Sequence, residues 1–155
     1  MLQRIQTVWL FFATASLFCL FLFPFIQFVD AANIATAVKA TGVYQNLNGQ
    51  VVQTKPFLGL TIATVIVGLV PFVIIFFYRS RKKQISISYV TILLILAYSF
   101  WLAQTAKQQV GTANLELQNY GIGVILPSLA ILFIILALRG IRKDEKLVRS
   151  ADRLR

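Results

Sequence analysis

Four stretches of this chain, Thr7 to Phe28, Phe57 to Tyr78, Ile85 to Ala103 and Ile122 to Leu138, contain no Asp, Glu, Lys, Arg or His. At about 1.5 Å of rise per residue, each is long enough as a helix to cross a hydrocarbon core of about 30 Å, the fourth only just. The stretches are apolar all round rather than along one stripe, which argues against a water-soluble four-helix fold. In 155 residues they leave room for one membrane domain and no separate soluble one.

The basic residues set a direction. Twelve of the 15 fall on one side of the expected spans: Arg4, then Arg79, Arg81, Lys82 and Lys83, then Arg139, Arg142, Lys143, Lys146, Arg149, Arg153 and Arg155. Lys39, Lys55 and Lys107 fall on the other. Short loops rich in Lys and Arg stay in the cytoplasm, so both termini are expected there. The first stretch is too long for a signal peptide, whose apolar region runs about 7–15 residues, so it is read as an uncleaved span. Cys19 lies within it and reads as a small packing residue.

The expected fold is therefore an all-α integral membrane protein, a four-helix transmembrane bundle. Its outer loops are 29–56 and 104–121, and its cytoplasmic helical tail is 139–155. Within Val29 to Pro56, Asn48-Gly49 between β-prone runs predicts a hairpin with a type I′ turn. The alternation in Ala113 to Tyr120 offers a third strand to this cap. Pro24, Pro71 and Pro127 are sites of kinking that membrane helices tolerate. Gly59, Ala63, Thr64 and Gly68 have the four-residue spacing of a close helix-packing face. Trp9, Tyr78, Tyr89, Tyr98 and Trp101 fall near span ends, where aromatic residues anchor at the interface.

The tail is amphipathic. At 100° per residue, Arg139, Arg142, Lys143, Lys146, Arg149 and Arg153 share an arc of about 120°, with Ile141, Leu147, Val148, Ala151 and Leu154 opposite. The candidate docking set is Arg142, Lys143, Lys146, Leu147, Val148, Arg149, Ala151, Arg153 and Leu154, facing membrane lipid or a protein partner. The loop from Arg79 to Gln84 is too short to cover such a helix. Nucleic acid is the weaker reading, because no aromatic interleaving or base-reading motif accompanies the basic residues.

Catalytic chemistry is not apparent. The chain has no His, and no acid lies within a span, so no proton relay, metal site or cofactor site is expected in the membrane. Hydroxyls such as Thr14, Ser16, Thr61, Thr64, Thr91, Ser99 and Ser128 have no base beside them and are expected to bond to helix carbonyls.

Met1-Leu2-Gln3-Arg4-Ile5-Gln6-Thr7, Phe23-Pro24, Leu126-Pro127 and the run from Ala137 to Arg155 resemble a small four-span inner-membrane family of Bacteroidota described as a domain of unknown function. The resemblance spans the chain and is most specific at the C-terminal tail. It implies a bacterial inner membrane and carries over no catalytic residue. The resulting expectation is a non-enzymatic accessory or scaffold subunit of a larger inner-membrane assembly, such as one for protein export or envelope assembly, docked through its tail. An oligomeric small-solute transporter or channel is the alternative, set second because charged pore residues are missing. A lipid-modifying enzyme is third, for want of an acid, His or metal in the spans.

Overall fold

The computed structural model describes residues 2–30, 34–47, 49–78, 80–110 and 117–153. Four helices, α1 (Leu2–Phe18), α2 (Leu58–Phe76), α3 (Arg81–Val110) and α4 (Ile125–Arg153), form the body. Between α1 and α2 the chain makes an antiparallel meander of β1 (Ile26–Val29), β2 (Ala35–Lys39), β3 (Gly42–Leu47) and β4 (Gln50–Pro56). Each helix packs chiefly on two neighbours, α1 between α2 and α4, and α3 between the same two, which closes a four-cornered bundle.

The inward face of every helix follows alternating steps of three and four residues. It reads Gln6, Leu10, Ala13 and Leu17 on α1, and Leu60, Thr64, Val67, Pro71 and Ile74 on α2. On α3 it reads Gln84, Ser88, Thr91, Ile95, Tyr98, Leu102 and Thr105, and on α4 Ala130, Ile134, Ala137, Ile141 and Asp144. That period belongs to helices packed at small crossing angles with a left-handed twist. Many of these core residues are small or polar, while Phe11, Ile62, Ile66, Leu93, Phe100 and Leu132 point outward and are exposed. A core less apolar than the surface is what a bundle in lipid permits, since lipid tails are as apolar as leucine and helices gain by close approach instead.

Three helical stretches, Leu58–Phe76, Arg81–Val110 and Ile122–Leu147, are long and apolar enough to cross a membrane, and Ile5–Phe21 is a shorter apolar helix. The first expected span is thus cut short. Helix gives way after Phe18 to a single tight turn over Cys19–Phe21, and the amides of Leu22 and Phe23 both donate to the Cys19 carbonyl at 3.0 Å. Pro24 explains the break, because it has no amide to donate and disfavours helical backbone at Phe23. The chain from Ile26 on belongs to the sheet, with Ile26 paired to Val38 and the Phe25 amide on the Val38 carbonyl at 2.9 Å. By contrast α2 continues through Pro71, and Pro127 sits in the first turn of α4, where its missing amide costs little. Helix α3 runs beyond the expected span to Val110, since Gln104 to Gln109 contains no helix breaker.

The cap also departs from expectation, and the fold is not all-α. Among the described residues it has four strands, all between α1 and α2, with β1 falling mostly in the expected first span, rather than a hairpin with a third strand from the second loop. Of that proposed strand, Ala113 to Glu116 lie outside the described residues, Leu117–Asn119 form a short tight helix, and Tyr120 makes one isolated bridge to Ile26. The expected hairpin is present, and its type I′ turn is matched at Gly49 alone: Leu47 pairs with Gln50, leaving a two-residue loop, and Gly49 has φ +83°. Asn48 lies outside the described residues. At this sheet end the Gly121 and Gly123 amides donate to the Phe25 and Pro24 carbonyls, each at 3.1 Å. A Cβ on either glycine would collide with that backbone, so only glycine lets the start of α4 seat against the break after α1.

Candidate functional site

At the opposite end, where α1 and α3 begin and α2 ends, α1 and α3 both reach Asp144 on α4. This acid lies on the inward face of α4, one turn beyond Ile141, and is 7% exposed. Gln6 Nε2 donates to its Oδ2 at 2.6 Å, and Arg81 Nη1 donates to its backbone carbonyl at 2.8 Å. Gly140 permits the approach. A Cβ there would lie 2.9 Å from Gln6 Cγ, so the bare backbone lets the glutamine lie flat on α4 and reach one turn along it. Gln84, also buried, donates from Nε2 to the Ile74 carbonyl at 3.4 Å, and the Phe77 amide donates to the same oxygen at 3.1 Å, which satisfies a carbonyl at the end of α2.

The Ile141 end of the tail is therefore covered by the bundle itself, contrary to the expectation that nothing internal could cover it. Its cover is not the short loop but the first turns of α1 and α3. Sequence reasoning missed Asp144: at 100° per residue Asp152 and Glu145 fall as near to the angle of Ile141 as it does, so periodicity alone does not single it out. Its partner was not legible, because Gln6 is 138 residues away.

Turned away from the bundle, Arg139, Arg142, Lys143 and Lys146 are all exposed and, with Glu145, line a groove of about 540 Å³. The Arg142 guanidinium sits 5.2 Å from the centre of the Tyr89 ring on α3, a cation–π contact across the α3–α4 seam. Leu147 is 53% exposed. Val148, Arg149, Ala151 and Arg153 lie on the helical backbone of α4, and Leu154 lies outside the described residues.

The small-residue set on α2 divides. Gly68 is buried against the Phe18 ring of α1, where a Cβ would stand 3.3 Å from Cζ. Thr64 faces α3, with its hydroxyl 2.6 Å from that of Tyr98 and 2.7 Å from the Leu60 carbonyl. Since Thr64 has one hydrogen and the carbonyl needs it, Tyr98 is the donor of the interhelical bond. Ala63 packs at the edge of the core, and Gly59 is exposed beside Trp101. Tyr98 is thus a buried bundle residue rather than an interfacial anchor. Trp9 stacks on Phe133 of α4 with ring centres 5.8 Å apart.

The hydroxyls of Thr14, Ser16, Thr61, Ser88, Thr91, Ser99 and Thr105 each donate to the carbonyl four residues earlier. Each of these hydroxyl hydrogens is thus committed to a helix carbonyl, as helix-buried Ser and Thr commonly are. Among the described residues, no group of three His, Cys, Asp or Glu could hold a metal ion. Residues 2–154 match a protein family described as a domain of unknown function, DUF4293. The chain belongs to that family. The match takes in both Gln6 and Asp144. No curated protein matches the chain.

Proposed function

We propose that this chain is a non-enzymatic accessory or scaffold subunit of a larger bacterial inner-membrane assembly. In this reading all four helices cross the bilayer, both termini and the segment from Arg79 to Lys83 are cytoplasmic, and the sheet caps the outer side. The orientation is supported by the twelve basic residues at the tail end against three at the other. With α1 cut to 17 residues, its crossing uses the Cys19–Phe21 turn as well, about 30 Å in all.

One observation carries the docking role. Helix α4 does not stop where the bundle stops but continues about two and a half turns past Asp144 to Arg153, with Lys146 and Leu147 exposed. The junction at Asp144 fixes the direction in which this extension leaves the bundle. A cytoplasmic partner then meets an oriented helix carrying Leu147, Val148, Ala151 and Leu154 beside its basic face.

Extraction of the native assembly in mild detergent tests this. One complex should co-purify in stoichiometric amount and be lost from the variant carrying Leu147→Asp and Leu154→Asp, while that variant still inserts in the membrane. Changing Arg142, Lys146 and Arg149 to Gln should weaken the association in a way that mirrors added salt. Retention of the complex by both variants would remove the docking role. Recovery of a homo-oligomer alone would favour the transporter alternative, for which a cavity of about 250 Å³ between α3, the start of α4 and Phe25-Ile26 is the supporting feature.

A further inference from the structure

A second cavity, of about 440 Å³, opens at the tail end between the start of α1, the end of α2 and the first turn of α3. Its polar lining is Gln6, Thr7, Tyr78, Arg81 and Gln84, and its apolar lining is Val8 and Ile75. The size lies within the ordinary range for a small-molecule site. No acid lines it. The nearby acid, Asp144, is buried and engaged by the Gln6 amide, so among the described lining residues the charge offered to the cavity is that of the Arg81 guanidinium. Arg81 gives Nη1 to the Asp144 carbonyl, and a guanidinium has further N–H donors in the same plane for a second acceptor.

We infer that this cavity binds the phosphate of an anionic phospholipid, with Arg81 as the ligand for the phosphate oxygens and the Tyr78 hydroxyl beside it. The lining changes from polar to apolar within one site, which fits a headgroup joined to an acyl chain rather than a free anion. Val8 is 48% exposed and Tyr78 60% exposed, so the mouth looks outward from the bundle, with the acyl chain leaving along Val8 and Ile75. Its level is that of the basic residues that begin α3, where a cytoplasmic headgroup layer would lie in the proposed orientation. The occupant is distinct from the protein partner of the tail, whose basic groove is on the other side of α4.

Native mass spectrometry of the full-length protein, released from detergent and titrated with phosphatidylglycerol, reads the site as a retained lipid. The probes for comparison are diacylglycerol, which lacks the phosphate, and glycerol phosphate, which lacks the acyl chains. Phosphatidylglycerol alone should be retained. Arg81→Gln should lower its retention roughly five- to tenfold, as expected for loss of one basic ligand near a headgroup. Because Arg81 also holds Asp144, Val8→Trp is the deciding variant: it fills the mouth without touching that junction and should lower retention as much. Lys143→Gln with Lys146→Gln should leave the first bound lipid in place. Equal retention of glycerol phosphate would make this a free-anion site, and equal retention of diacylglycerol an apolar slot. Either result overturns the inference, as does full retention by Val8→Trp or loss of the first lipid in the Lys143/Lys146 variant.

Discussion

At the sheet end the bundle is closed by backbone, whereas at the tail end it is closed by side chains. Pro24, Phe25, Gly121 and Gly123 meet through main-chain hydrogen bonds, and β1 to β4 add a ladder that needs little more than turns and alternation. Gln6 and Arg81 instead reach across helices to Asp144, and Gln84 to the Ile74 carbonyl, through side-chain amide and guanidinium groups. Backbone closure is rigid and intolerant of any added atom. Side-chain closure depends on a few specific partners, and it leaves polar groups and cavities where ligands and partners can bind. The functional surfaces proposed above both lie at the second end.

The largest effect is expected at the sheet end. Gly121→Val places a branched side chain on the Pro24 carbonyl, which cannot give way, and should lower thermal stability in detergent by about 3 kcal/mol or more. Tolerance of valine there, with an unchanged melting curve, would mean that the backbone contact is not what closes that end.

At the tail end, Gln6→Leu leaves the buried Asp144 carboxylate without its donor and should cost about 2 kcal/mol in the same assay. The double variant Gln6→Leu with Asp144→Leu should recover most of that loss, because removing both partners is cheaper than orphaning one. Additive losses instead would show that the two side chains do not act on each other.

Between the ends, Tyr98→Phe removes the donor to Thr64 and should cost about 1 kcal/mol, within the usual range for interhelical bonds in membrane proteins. Its effect should add to that of Gln6→Leu, as the sites share no partner. The smallest change is expected from Gly140→Ala. Its Cβ would press on the flexible Gln6 side chain, a penalty that the better helix propensity of alanine, about 1 kcal/mol, largely offsets. In that background Gln6→Leu should cost less than about 1 kcal/mol, because the amide no longer reaches Asp144 well.

How much of this could be read from the residues differs in the same way between the two ends. The apolar lengths of α2, α3 and α4 were plain, as was the turn at Gly49, because hydropathy and turn chemistry are local properties. Ile26-Gln27-Phe28 was absorbed into the first span, since a short apolar strand and the end of an apolar helix have one composition; Pro24 was the signal that separates them. The inward faces were hidden because Leu93 on the outside and Ile95 on the inside are equally apolar in a lipid-facing bundle. At the tail end the amphipathic pattern gave the basic face but not Asp144, because only the folded chain brings Gln6 and Arg81 to it.

The claim that the two ends lie on opposite sides of a bilayer, with the tail inside, is tested most directly by cysteine labelling in intact spheroplasts. In a Cys19→Ser background, a reagent that cannot cross the membrane should modify Val51→Cys in the sheet, whose parent residue is 71% exposed. It should reach Lys146→Cys in the exposed basic face of α4 only after the membrane is permeabilised. Labelling of Lys146→Cys without permeabilisation, or equal labelling of both positions in intact cells, would contradict the account.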